Sequence, residues 1–69
     1  MNDKDFVGFI DETAEIAAET CSTKVELEQW IWKSWSTDDS RRRAAVGTFK
    51  QFRSHVLNVL DVNYPHVGF

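Results

Sequence analysis

The sequence predicts an all-α fold, a helical hairpin of two to three helices assembling as a dimeric helical bundle. Three observations carry this expectation. Apolar residues recur at spacings of three and four along most of the chain, the period of a helix with one buried face. Three glycines and one proline in 69 residues supply too few turns for an all-β fold. A chain this short builds only a marginal core. Its single cysteine, Cys21, allows no internal disulfide, and no Cys/His set has zinc-ligand spacing, so self-association is the remaining staple.

Taken as a single helical domain over residues 1–69, the chain divides into a helix at about 3–21, a second at about 24–35, a turn at 36–38, a long helix at about 38–62 and a tail at 63–69. The first helix starts behind Asn2 as cap, with Asp5 at the positive end of the dipole. Phe6, Phe9, Ile10, Thr13, Ala14, Ala17 and Cys21 fill one arc of its helical wheel, and Asp11, Glu12, Glu15 and Glu19 fill the other. Residues 20–23 then offer two readings, a break or one bent helix continuing to residue 35. The break is preferred, because Thr23-x-x-Glu26 has the form of a capping box. Beyond it Leu27, Trp30, Ile31, Ser34 and Trp35 share a face, while Val25 and Trp32 point away from it.

Ser36-Thr37-Asp38-Asp39 is the strongest punctuation in the chain, cap residues and acids that start a fresh helix. From there Ala45, Phe49, Phe52, Val56, Val59 and Leu60 form an apolar seam of nearly three heptads, flanked by Val46 and Leu57. Phe49, Phe52, Val56, Val59 and Leu60 are its strongest members, expected to form the core and the dimer contact. Asn63 and Pro65 end the helix.

Charge and motif content narrow the function classes. Residues 1–36 carry eight acids and three bases, and residues 37–69 three acids and five bases, so the acidic and basic halves attract. The acidic start is unlike a secretory leader, no apolar run spans a bilayer, and the lone cysteine fits a reducing, cytoplasmic setting. The four acids of the first helix read as a solvated face. Their helix has no histidine three residues after a glutamate, as carboxylate-bridged metal helices do. His55 and His66 have no acid or cysteine at triad or ligand spacing, and Gly8, Gly47 and Gly68 form no phosphate loop. No cofactor and no enzymatic activity is expected.

Two features stand out against this plain background. Three tryptophans fall within residues 30–35, and they cannot all face one side of a helix. Trp30 and Trp35 suit the core, whereas Trp32, off the core stripe, has the composition of a protein–protein hot spot. Arg41, Arg42 and Arg43 sit in the first turns of a helix, the unfavourable end for cations. Asp38 with Arg42 and Asp39 with Arg43 are i, i+4 pairs that explain them locally. Trp32, Trp35, Arg41, Arg42 and Arg43 together make the candidate partner-binding set around the turn.

In its length, its two-helix plan around Ser36–Asp39 and the aromatics and arginines bracketing that turn, the chain resembles small phage-encoded helical-hairpin inhibitors of host regulators, such as a quorum-sensing anti-activator. The resemblance implies a homodimer that blocks a host protein, for instance a bacterial transcriptional regulator; it assigns no residue a role. Two alternatives stay beside it. One is a small nucleic-acid-binding regulator using the Arg41–Arg43 helix start, opposed by the acidic first helix and a pI near 5.2. The other is an assembly subunit.

Overall fold

A computed structural model describes the backbone of residues 3–67 and the side chains of residues 5–67. The described residues are all-helical, in the order α1 (Asp3–Thr20), α2 (Lys24–Thr37), α3 (Ser40–Val46) and α4 (Phe49–Asn63). Asn2, the expected cap of α1, lies outside them. None of these helices is long and apolar enough to cross a membrane.

The apolar arc of α1 is the spine of the core. Phe9, Ile10, Ala14 and Ala17 are buried with the neighbouring Thr13, while Asp11, Glu12, Glu15 and Glu19 are all exposed. Ala14 and Ala17 have no exposed area, and their small side chains let the neighbouring helices approach closely. α1 ends at Thr20, and α2 restarts from a complete capping box. The Thr23 hydroxyl accepts from the Glu26 amide at 3.2 Å, and the Glu26 carboxylate accepts from the Thr23 amide at 3.1 Å. The break at 21–23 is therefore held by the residues whose spacing announces it.

α2 lays Leu27 and Ile31 into the core and borders it with Trp30, Ser34 and Trp35. The Trp30 indole donates to the Thr13 carbonyl at 3.0 Å, and the Thr13 and Ser34 hydroxyls share a hydrogen bond of 2.8 Å. These two bonds satisfy the polar groups that α1 and α2 bring between them. α2 runs through Thr37, past the expected limit, and the turn falls on Asp38 and Asp39.

The single long helix expected over 38–62 is instead two helices, bent at Gly47-Thr48. Gly47 has φ of +115°, a left-handed value that ends α3, and its amide donates to the Arg43 carbonyl at 2.9 Å. Thr48 then caps α4 in a second capping box with Gln51. The bend shifts the helical phase, so Ala45 is exposed and Val46 is buried in its place. Past the bend the seam holds. Phe52, Val56 and Leu60 are buried, and Phe49 and Val59 pack half-buried at the edge. α4 packs on α1, with Phe6 against His55 and Phe9 stacked on Phe52 at a 4.3 Å centroid distance, and it is to α2 that it runs antiparallel, Glu28 meeting Arg53 and Trp32 meeting Phe49. Of the two residues flanking the seam, Val46 is buried and Leu57 is half-buried against the core. Tyr64 closes the end of α4 by packing back on the core.

Candidate functional site

The candidate residues around the turn separate into two sets, joined through the core by a run of aromatic rings. At one end Trp32 stands 55% exposed on the outer side of α2, its ring edge-on to Phe49 of α4 at 5.0 Å. Phe49 lies 6.2 Å from Trp35, which in turn stands 5.3 Å from Phe52 and 6.1 Å from Phe9. Trp35 is thus half-buried within a cluster of four rings and is mainly a packing residue. Offset and edge-on contacts at these distances stabilise the cluster beyond its buried area.

At the far end the Arg42 guanidinium lies over the Phe9 ring, 4.9 Å from its centroid. Its Nη2 is 3.4 Å from Glu12 Oε1, and its Nε is 3.2 Å from Asp38 Oδ2, without the alignment of a hydrogen bond. The expected Asp38–Arg42 pair is present. Arg42 also ties α3 to α1, so it is part of the fold's own framework while its side chain stays 27% exposed. The expected Asp39–Arg43 pair is replaced. Asp39 is the cap of α3, its carboxylate accepting from the Arg41 amide at 2.8 Å, so it serves the helix start and not a side chain. Arg43 is half-buried, and Arg41 is exposed and makes no ion pair among the described residues.

Two residues that the spacing alone does not single out as a pair complete the surface beside Trp32. Glu28 lies one turn before Trp32 on α2, and Arg53 one turn after Phe49 on α4. The antiparallel register of these helices brings them together. Arg53 Nε donates to Glu28 Oε1 at 2.7 Å, and Nη2 donates to Oε2, a two-pronged clasp. That hydrogen bonding holds the Glu28 carboxyl below its usual value, against a smaller opposing effect of burial, and raises the Arg53 guanidinium in turn. Glu28 and Arg53 are matched in i, i+4 spacing to Trp32 and Phe49. Only the pairing of α2 with α4 turns that into a contact.

The outer α2–α4 face therefore presents an exposed indole on an aromatic shelf, a fixed Arg–Glu clasp one turn away, and the exposed Lys50 beside Phe49. Val25, 66% exposed, continues the stripe toward the start of α2. At that end lies a shallow cleft of about 270 Å³ lined by Leu27, Leu57, Leu60 and Tyr64. Among the described residues no three His, Cys, Asp or Glu side chains gather as a metal site. No family model matches this chain, and no curated protein or solved structure is significantly similar to it.

Proposed function

We propose that this chain is a small non-enzymatic protein-binding module whose contact surface centres on Trp32. The observation that supports it is the placement of Trp32, 55% exposed and braced on the edge of Phe49. A tryptophan already packed against a neighbouring ring and open to solvent has less conformational freedom to lose on binding. Tryptophan and arginine are the side chains most enriched at the centres of interfaces. Trp32 beside the Arg53–Glu28 clasp has that composition, and Arg41 stands exposed nearby in sequence at the start of α3. Trp35 serves this surface from beneath, as the support of Phe49, and Arg42 serves it only through the fold.

The biological reading follows the resemblance to phage-encoded inhibitors: the module dimerises and blocks a host protein, such as a bacterial transcriptional regulator, in the host cytoplasm. The test is affinity capture from nuclease-treated bacterial lysate with the wild-type chain and a Trp32→Ala variant of confirmed helicity. A host protein retained by the wild type and lost at least tenfold in the variant is the expected result. Equal capture by both would remove Trp32 from the contact. A product found only in untreated lysate, and made of nucleic acid, would replace the protein-binding reading.

A further inference from the structure

We propose that a second copy of this chain docks by exchanging α4 across Gly47, the bend opening into one helix from Ser40 to Asn63. The bend is a local device. It consists of one glycine at φ +115°, the only positive φ among the described residues, and the Thr48–Gln51 capping box that follows it. The Thr48 amide donates to Gln51 Oε1 at 3.0 Å, and the Gln51 amide donates to the Thr48 hydroxyl at 3.2 Å.

The sequence on either side of the bend fits a straight helix as well as a bent one. Ala45, Phe49, Phe52, Val56, Val59 and Leu60 share one face only when the helix passes through residue 47 without interruption. In the bent chain this continuity has no use: Ala45 is exposed, and Val46 takes its place in the core. Straightening carries α4 away from α1 and α2 of its own chain. The buried face of α4 (Phe52, Val56 and Leu60) then requires a surface identical to the one it left, and a second copy supplies it reciprocally. Opposing the exchange are the attachments of α3 to α1: Val46 in the core, Arg42 with Glu12, and Arg42 over Phe9. The contacts that α4 itself makes with α1 and α2 are the same in both forms, so the local terms at Gly47 and these attachments of α3 set the balance. In the exchanged dimer Trp32 of one chain rests on Phe49 of the other, and the contact surface proposed above is built from two copies.

Gly47→Ala is the direct probe. A methyl at this position would lie 2.2 Å from Gln51 Oε1, which disrupts the cap, and the positive φ disfavours any side chain. In a straight helix, by contrast, alanine is far better than glycine. Wild type and variants are refolded from denaturant at matched high concentration, and their masses are read by light scattering after size exclusion. The expected result is a dimerisation constant raised on the order of tenfold or more by Gly47→Ala. Ala45→Glu alone should leave the melting of the bent monomer unchanged, and added to Gly47→Ala it should return the chain to monomer, because only in the straight helix does residue 45 share the apolar face of Phe49, Phe52 and Val56. A monomeric Gly47→Ala chain would overturn the proposal, as would a dimer indifferent to Ala45→Glu. Should Gly47→Ala fail to fold, Thr48→Ala decides: it removes the cap without adding strain. A shift toward dimer supports the exchange, and a weakened but purely monomeric chain contradicts it.

Discussion

The side chains that set the character of this molecule are those held in two roles at once. Arg42 packs its guanidinium on Phe9 while pairing with Glu12 and Asp38, so one residue fastens α3 to α1 through both charge and ring contact. Trp30 fills the α1–α2 junction and donates to the Thr13 carbonyl. The Glu28–Arg53 clasp has a consequence that depends on pH. The Glu28 carboxyl titrates lower in the folded chain than in the unfolded one. Its stabilising effect is therefore complete above the ordinary glutamate range and disappears as pH falls through the depressed folded value. Both side chains are about one-third or more exposed, so the effect is modest, on the order of 0.5 kcal/mol or less. Glu28→Gln should cost that amount, about 0.5 kcal/mol or less, at pH 7 and flatten the loss of stability on acidification by the same amount, measured by urea unfolding between pH 3 and 7. A variant with the same acid limb as the wild type would show that the clasp makes no net contribution.

At the scale of the helices, caps decide where the chain turns, and the two capping boxes differ in how openly the sequence shows them. Thr23-x-x-Glu26 follows a run of small polar residues and interrupts an apolar face, so the break is legible. Thr48-x-x-Gln51 has the same form, behind a glycine, yet the apolar stepping from Ala45 through Phe49 runs across it without a fault and reads as one helix. Periodicity reports which face can be buried, and a cap competes with it locally. Here Gly47 and Thr48 win. The bend in turn explains why Val46 is buried and Ala45 is not, a detail that the periodicity of an unbroken helix reverses. Thr23→Ala should cost about 1 kcal/mol of stability and fray the start of α2, read by urea unfolding and by faster amide exchange at Glu26. A loss of a few tenths or less, with unchanged exchange, would mean that packing alone holds the break.

On the scale of the whole molecule, four helices close a core among the described residues. The all-helical class, the buried arc of α1 and the core face of α2 are legible from spacing alone. The assignment of the candidate site is legible only in part. Trp32 stands apart in the helical wheel, and it stands apart in the fold. Trp35 and Arg42, grouped with it by their position around the turn, are drawn into the ring cluster and the α1–α3 attachment. No spacing rule reports which side of an interhelical contact a turn residue will take. The same holds for the Glu28–Arg53 clasp, which exists because α2 and α4 run antiparallel in a particular register.

Trp32 can serve as a contact residue only if it stands outside the structure that Trp35 holds together, and paired urea unfolding of Trp32→Ala and Trp35→Ala tests that directly. A domain of this size has a total stability of only about 3–10 kcal/mol. Trp35→Ala, which empties the centre of the ring cluster, should lose about 3 kcal/mol, a large share of that total. Trp32→Ala should lose less than about 1 kcal/mol, because its ring is more than half exposed and only its edge contact with Phe49 is lost. Equal and large losses for the two variants would make Trp32 a residue of the core, and the contact surface built on it would fall.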